Sequence, residues 1–362
     1  MTAEVIPGPT RTDAAGPDEW LIDDDIVRLR RWALETVHPL PSPSTAEVVV
    51  GAGAVCDLVL DDPAGRISRQ HARLTHDGRW TISDLGSKNG LRMDGSRRQT
   101  FPLAAGVEVG IGGLTLIAES PRWLALRGFV QRLIGWSPER AEEVDLAMRA
   151  LRIAATRRDS LLLHGDGDLM AIAQSLHRRT LGTGRPCIVC DPRRRSTEAT
   201  VRSAENHDTG LEALRAAAGG TLCVWSARLP ADFPAVLDAL RDPAARVQLV
   251  VCSHAADTTK KPTIAAPITL PPLADRASEL DRVIDEYGRD AVTSLAVDVN
   301  RFTPADRAWV RAHTADSLPE IEKATRRLVA LRDGGNVARA AVKLGMSHVA
   351  LSQWIDRRRL PD

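Results

Sequence analysis

Short apolar runs separated by turn residues make up the chain from residue 26 to residue 119. Residues 48–50, 58–60 and 114–117 are three of these runs. Strands of this length at short, regular spacing are typical of a β-sandwich. Residues 1–25, in contrast, are rich in Pro, Gly, Thr and Asp and have no hydrophobic periodicity. That composition predicts a disordered leader, followed by a sandwich domain over residues 26–119.

The hydrophobic pattern changes after Pro121. Apolar positions at helical spacing predict helix over residues 122–158, and strand and helix signals then alternate. The predicted strands are 160–163, 187–190, 221–225 and 247–252, and the helices between them are 169–180, 209–217 and 233–240. This alternation favours a parallel sheet covered by helices, which we assign to an α/β domain over residues 122–275.

The remaining chain is helical in pattern. Residues 276–331 form a predicted helical segment that includes a helix over 319–331, and the last domain is 332–362. In that last domain Asn336 caps one short helix and Ser347 caps a second, with a glycine-containing turn between them. The fold class is therefore multidomain: a β-sandwich, an α/β domain and an α-helical helix-turn-helix.

Composition limits the partners and the compartment. Lys and Arg number 48 against 47 for Asp and Glu, so any affinity for nucleic acid must be local. No apolar stretch approaches the roughly 20 residues that span a bilayer, and we expect a cytoplasmic protein without membrane contact. Cys187 and Cys190 lie in one predicted strand, where their sulfurs face opposite sides, so buried thiols are favoured over a metal site.

Three spaced motifs in the predicted sandwich resemble those of a known domain family. Gly51, the run 68–72 and the run 84–90 occur in the order and at the spacing of a forkhead-associated (FHA) domain, which the segment resembles. FHA domains bind phosphothreonine peptides with loops at one end of the sandwich. The resemblance implies that His71 braces these loops from within. It also implies phosphopeptide contacts from Ser68, Arg69, Ser87, Lys88 and Asn89.

One position departs from the FHA pattern. The family usually has Arg directly after the first glycine, where it grips the phosphate, and this chain has Ala52. A phosphate dianion needs several convergent donors and at least one cation. Arg66, Arg69 and Lys88 are the candidates to supply that charge. Either the loops retain weak phosphothreonine affinity, or the sandwich serves only as an interaction surface.

Five short segments between residues 161 and 273 resemble, in order, the AAA+ domain of sigma-54-dependent activators. The phosphate loop of that family needs a lysine, but the corresponding run 165–170 carries Asp166 and Asp168 instead. The family's metal-binding acid pair is replaced by Trp225 and Ser226. We therefore expect no nucleotide, no metal, no cofactor and no enzymatic activity.

The family's sigma-54-contacting motif is absent from residues 191–218, so no sigma-54 contact is expected. The tail from Asn336 to Ser347 resembles the Fis-type helix-turn-helix of the same activators. Residues 336–359 contain five basic residues and one acidic residue, a local footprint for DNA phosphates. The predicted DNA-binding residues are Ser347, His348, Val349, Ser352, Gln353, Arg357 and Arg358.

The leading hypothesis is a bacterial DNA-binding transcriptional regulator with an FHA input. Its predicted partners are DNA, a phosphothreonine protein or Ser/Thr kinase, and at least one further copy of the chain. The alternative is a phosphopeptide-binding interaction scaffold that does not bind DNA. An ATP-driven sigma-54 activator is disfavoured, because both the lysine and the acid pair are absent.

Overall fold

The structure is a computed structural model that describes residues 25–42, 47–198, 204–255, 267–358 and 360. All but Asp25 of the predicted disordered leader lies outside the described residues. The chain divides into two compact units. Of the described residues, the N-terminal unit comprises 25–42, 47–157 and 179–182, and the C-terminal unit comprises 158–178, 183–198, 204–255, 267–358 and 360.

The N-terminal unit contains the predicted β-sandwich. Its strands are β1 (Arg28–Arg31), β2 (Val37–Pro39), β3 (Glu47–Gly51), β4 (Leu58–Val59), β5 (Ala72–His76), β6 (Trp80–Asp84), β7 (Leu91–Met93), β8 (Ser96–Arg98), β9 (Thr100–Pro102), β10 (Glu108–Ile111) and β11 (Leu114–Glu119). One sheet has the order β2-β1-β11-β10-β7-β8, and the other has the order β4-β3-β5-β6-β9.

Alternating burial explains why these runs form strands. Val48 and Val50 of β3, Leu74 of β5, and Trp80 and Ile82 of β6 are all buried, while the residues between them are more exposed. Successive side chains of a strand point to opposite faces, so a two-residue period places one face in a core. The core of the sandwich therefore lies between its two sheets.

Two helices follow the sandwich within the same unit: α1 (Pro121–Ile134) and α2 (Ala141–Arg157). Ser120 caps α1 by accepting a hydrogen bond of 3.2 Å from the Trp123 N–H, and Pro121 occupies the first turn. Pro121 thus marks the change from strand to helix, and the compact unit continues beyond it to Arg157.

A buried ion network joins α2 to the sandwich. The side chain of Arg30 in β1 is fully buried and pairs with Glu119 of β11 and Asp145 of α2. Burial lowers the pKa of Arg30, but the hydrogen bonds and charges of Asp145 and Glu119 outweigh it, and the net pKa is raised. Removing one partner of such a network leaves a buried uncompensated charge, which is strongly destabilising.

The C-terminal unit contains the predicted α/β sheet. Its strands are β12 (Leu161–Gly165), β13 (Cys187–Cys190), β14 (Asn206–His207), β15 (Thr221–Trp225), β16 (Gln248–His254) and β17 (Pro267–Leu270). They pair in parallel in the order β14-β13-β15-β16-β12-β17. The associated helices are α3 (Leu169–Thr180), α4 (Gly210–Ala216) and α5 (Phe233–Leu240).

One face of this sheet packs against α4 and α5. Leu222, Val224 and Val251 from the central strands meet Phe233 and Val236 in a buried cluster. Cys190 also belongs to this cluster, whereas the neighbouring Cys223 thiol holds the pKa of Cys187 below its usual value. Among the described residues, no group of three His, Cys, Asp or Glu side chains has an arrangement that could hold a metal ion.

Within residues 267–358 the C-terminal unit contains five α-helices: α6 (Leu280–Ser294), α7 (Pro304–His313), α8 (Leu318–Gly334), α9 (Val337–Lys343) and α10 (His348–Asp356). Ser317 caps the start of α8, and Gly335 ends it with φ of 65°, in the left-handed region that favours glycine. In the part of the chain that the structure describes, every helix is too short or too polar to cross a membrane.

Candidate functional site

His71 links two loops at one end of the sandwich. Its buried ring lies between the loop that precedes β5 and the loop from β6 to β7. Nδ1 accepts a hydrogen bond of 3.1 Å from the Ser68 N–H, and Nε2 lies 3.2 Å from the carbonyl oxygen of Gly90. Because Nδ1 is an acceptor, the ring hydrogen is assigned to Nε2, which then donates to Gly90. His71 therefore fixes the relative position of the two loops.

The hydroxyl groups of Ser68 and Ser87 have different roles. Ser68 Oγ accepts a hydrogen bond of 3.2 Å from the Lys88 N–H, so its own hydrogen remains able to donate. Ser87 Oγ donates to Asp84 at 2.5 Å and accepts from the Gly90 N–H at 2.9 Å. The structure thus brings Ser68 and Lys88 together at the loop surface and uses the Ser87 hydroxyl inside the loop itself.

Asn89, Arg69 and Lys88 complete the exposed surface of these loops. Asn89 Nδ2 donates to the Arg66 carbonyl oxygen at 2.6 Å, and its Oδ1 is free to accept another hydrogen bond. The Arg69 backbone is held by the Gly53 N–H at 2.9 Å, while its side chain is exposed. Lys88 is likewise exposed. The loops therefore combine a hydroxyl donor, an amide and two cations.

Ala52 lies beside this group. Its N–H donates to the Ser68 carbonyl oxygen at 3.1 Å, and its side chain is exposed. At the preceding position, a Cβ on Gly51 would collide with the carbonyl group of Arg69, so only glycine fits there. The family's phosphate-gripping arginine would therefore project from a position next to Ser68, and Ala52 leaves that space open.

Arg97 of β8 is a neighbour of the site that the motifs did not indicate. A Cβ placed on Gly90 would lie 2.9 Å from Arg97 Nε, so the guanidinium group lies against the residue after Asn89. The available signal was the Asp94-Gly95 turn, which predicts a hairpin and hence the pairing of Arg97 with Arg92.

Comparison with known families identifies the sandwich. The family model of the FHA domain matches residues 48–112. Residues 48–112 form an FHA domain. FHA domains bind phosphothreonine peptides, and the match includes both loops that His71 joins. No curated protein matches this chain in sequence.

Solved structures resemble this chain over different spans. The FHA domain of the CT664 protein from Chlamydia trachomatis is 30% identical, covering 26% of this chain and 95% of that chain, with a TM-score of 0.23. Mycobacterium tuberculosis EmbR, in complex with a low affinity phosphopeptide, is 27% identical over 26% of this chain and 24% of that chain, with a TM-score of 0.24. NtrX from Brucella abortus, in complex with ADP, is 14% identical over 65% of this chain and 71% of that chain, with a TM-score of 0.37.

Outside the FHA domain, a second loop lies at the carboxyl end of β12, where α/β folds commonly bind ligands. Asp168 Oδ1 accepts a hydrogen bond of 3.2 Å from the Ala171 N–H, and the Leu169 N–H donates to the Gly167 carbonyl oxygen at 3.0 Å. The start of α3 is therefore capped by its own chain. A Cβ on Gly167 would lie 3.6 Å from Ser317 Cβ, so the start of α8 is close to the same loop.

Aromatic rings occupy the ends of the two neighbouring strands. Trp225 at the end of β15 stacks on His254 at the end of β16, with ring centroids 4.7 Å apart and an interplanar angle of 17°. Ser226, the next residue, is buried. Neither Trp225 nor Ser226 offers a carboxylate to a hard cation.

The last two helices, α9 and α10, are joined by residues 344–347. Ser347 caps α10, with its Oγ accepting a hydrogen bond of 3.2 Å from the Ala350 N–H. Leu351 and Trp354 are buried. The Trp354 ring meets that of Trp309 in α7 edge to face, with centroids 5.9 Å apart. These inward contacts fix which side of α10 faces outward.

The outward side of α10 carries most of the predicted DNA-binding residues. Residues three and four positions apart share a side of a helix. His348, Val349, Gln353 and Arg357 are exposed, whereas Ser352 and Arg358 are half-buried. The Arg358 guanidinium lies 5.2 Å from the centroid of the Trp354 ring, so part of this side chain packs on the protein.

Proposed function

We propose that the protein is a cytoplasmic bacterial transcriptional regulator whose FHA domain receives a phosphothreonine signal and whose α9–α10 pair binds DNA. The signal would be a phosphothreonine protein, made by a Ser/Thr kinase. The observation that carries this proposal is the link through His71, which presents Ser68, Lys88 and Asn89 on one surface. A phosphate needs such a set of fixed donors beside uncommitted cations.

In this proposal the α/β body neither binds nor hydrolyses nucleotide. Phosphates bind at helix N-termini through backbone N–H groups that the helix leaves free. At α3 the carboxylate of Asp168 accepts a hydrogen bond from one of these groups, the Ala171 N–H, and Gly167 lies beside Ser317. By the sequence resemblance, Trp225, which stacks on His254, also occupies one position of the metal-binding acid pair of sigma-54-dependent activators. The body would serve as an assembly and connecting element, without sigma-54 contact.

DNA binding by α10 is supported by its exposed polar side and by Arg357 at its end. A single short helix makes too few base contacts to specify a genomic site, so the regulator should act as a dimer or larger oligomer on paired half-sites. Gln353 is the best candidate for a bidentate contact to a base, because it is exposed and its amide offers both a donor and an acceptor.

The phosphothreonine input is tested by fluorescence anisotropy of the full chain with a phosphothreonine peptide library. Ser68→Ala should weaken binding about tenfold, since it removes one hydrogen bond to a charged group. The matched control is Ser96→Ala, which removes an exposed hydroxyl from β8. Equal affinity for phosphorylated and unphosphorylated peptides would contradict the proposal.

The DNA output is tested with fragments recovered by crosslinking in cells. Wild-type binding should weaken as salt rises, and Arg357→Ala should reduce the slope of log affinity against log salt by about 1. Arg326→Ala on α8 is the control, because it removes an exposed arginine from the same unit. Phosphopeptide binding without salt-dependent DNA binding would mean that the protein is an interaction scaffold and not a DNA-binding regulator.

A further inference from the structure

Two arginine side chains meet at the amino-terminal edge of the parallel sheet in the C-terminal unit. Arg158 lies just before β12 and Arg185 just before β13, and both guanidinium groups donate to the carbonyl oxygen of Gly219, at 3.4 and 3.1 Å respectively. Because all strands of this sheet run in the same direction, this edge is opposite the one that carries Trp225 and the loop after β12. We call Arg158, Arg185 and Gly219 the Gly219 cluster.

The backbone fixes the carbonyl group to which both arginines donate. Gly219 has φ of 76°, in the left-handed region that favours glycine, and a Cβ on Gly220 would collide with the Pro186 carbonyl oxygen. The Thr221 N–H donates to that same oxygen at 2.9 Å. The turn before β15 is therefore held against the chain that enters β13, and the Gly219 carbonyl stays between the two arginines.

Arg158 carries a buried charge that lacks an acidic partner. It is 7% exposed, and its Nε and Nη1 atoms have no hydrogen-bond partner among the residues that the structure describes. Within those residues, no carboxylate forms an ion pair with it. Burial and the charge of Arg185 lower the pKa of Arg158 to about 10, so the side chain is still charged at neutral pH.

This arrangement is unfavourable for the fold alone. A buried charge without a counter-charge is destabilising, and Arg158 also has φ of 59°, a backbone conformation that non-glycine residues rarely adopt. Most buried polar groups in proteins are hydrogen-bonded, and an exception indicates a role for a bound water, ion or ligand. A water molecule can accept from the N–H groups, but it leaves both positive charges in place. An anion satisfies the N–H groups and the charges together.

We propose that the Gly219 cluster binds the phosphoryl group of a small molecule, held by Arg158 and Arg185. A phosphate monoester carries about 1.5 to 2 negative charges at neutral pH, which matches two guanidinium groups, and the planar fork of each guanidinium fits phosphate oxygens. Arg185 and Gly219 are half-buried, so the ligand reaches the cluster from their side. This site is separate from the FHA loops and gives the C-terminal unit a ligand of its own.

The experiment titrates inorganic phosphate and glycerol phosphate into the full chain by calorimetry, with the ionic strength held constant by sodium chloride. Both probes should bind, and acetate, with its single charge, should bind more weakly. The stronger of the two phosphate probes shows whether the site takes free phosphate or a phosphate ester. ATP with magnesium does not probe this site, because the metal ion neutralises the terminal phosphates.

Arg158→Met keeps the length of the side chain and removes its charge. It should weaken phosphate binding at least about tenfold, the loss expected for one hydrogen bond between charged groups. In chloride it should unfold at the same or a higher temperature than the wild type, because the unpaired buried charge is gone. Arg215→Met, which changes an exposed arginine of α4 in the same unit, is the matched control. Arg185→Met should also weaken binding, and it tests the site independently of the Arg158 backbone.

Amide hydrogen exchange locates the bound phosphate. Phosphate should slow exchange in residues 217–221 of the wild type and of Arg215→Met, and should leave these residues unchanged in Arg158→Met. No binding of either phosphate probe above the chloride background would overturn the proposal. Equal binding by the wild type and both cluster variants would also overturn it, and if Ser68→Ala then abolished the heat, the phosphate would belong to the FHA loops.

Discussion

The two units each carry a loop at the end of a sheet, and the loops differ in how their hydrogen-bond donors are used. In the FHA domain, the Ser68 hydroxyl hydrogen and the exposed Lys88 side chain are available to a ligand, because His71 and the backbone hold the loops in place. At the end of β12, Asp168 and the Gly167 carbonyl oxygen accept hydrogen bonds from two of the N–H groups that begin α3, and Gly167 is close to α8.

A suitable fold does not by itself make an anion site. Both places have the backbone geometry that phosphates favour, a loop at a sheet end or a helix N-terminus. The FHA loops leave the Ser68 hydroxyl and two exposed cations uncommitted, whereas residues 166–168 carry two carboxylates and no cation. Three substitutions test whether that distinction controls binding.

The largest expected effect comes from His71→Ala, which removes the link between the loops. The half-buried Ser68 N–H and the buried Gly90 carbonyl lose their partners, and the free energy of unfolding of the N-terminal unit should fall by about 2–5 kcal/mol. Urea denaturation measures the loss, and amide hydrogen exchange should accelerate in residues 68–71 and 87–90. His76→Ala, at the other end of β5, is the control. Unchanged exchange in residues 87–90 would show that His71 does not hold that loop.

Ala52→Arg should raise the phosphopeptide affinity of the FHA domain by adding a cation next to Ser68. The exposed position has room for the side chain, and a charge-assisted hydrogen bond contributes about 1.5–3 kcal/mol, or roughly 10- to 100-fold in phosphopeptide affinity. Ala54→Arg places the same charge in the same loop and is the control. If both variants improve binding equally, the gain reflects net charge and not a specific contact.

The smallest effect is expected at the other loop. Asp168→Ala removes the cap of α3 and should lower the free energy of unfolding by about 1 kcal/mol. Calorimetry with ATP and magnesium should stay flat, because Ser317 still lies beside Gly167 and Trp225 supplies no carboxylate. Asp166→Ala, an exposed acid without a capping contact, is the control. Micromolar nucleotide binding by Asp168→Ala would mean that the carboxylate alone closes the site.

Local pattern predicts most of the secondary structure. The predicted helix 169–180 and strands 187–190 and 221–225 coincide with α3, β13 and β15. The predictions for β12 and β16 end two residues early, because these strands pair on both sides and the pairing extends to Gly165 and His254. Such extension depends on neighbouring strands, which a single segment does not reveal.

Contacts between distant parts of the chain are what the sequence could not supply. The ion pair of Arg30 with Asp145 joins residues 115 positions apart and explains why α2 lies in the same unit as the sandwich. The FHA loops were predictable because their motifs are local and spaced. The position of Arg97 beside these loops was not predictable from a motif, since its proximity to Gly90 follows from the hairpin register.

The Trp309–Trp354 pair has a spectroscopic consequence. Two indole rings 5.9 Å apart at 65° couple their electronic transitions, and the coupling changes with small displacements of either ring. Trp354 belongs to α10 and Trp309 to α7, so the near-ultraviolet circular dichroism of the protein should contain a signal from this pair. That signal should change when α10 moves relative to α7, and measuring it needs no attached label.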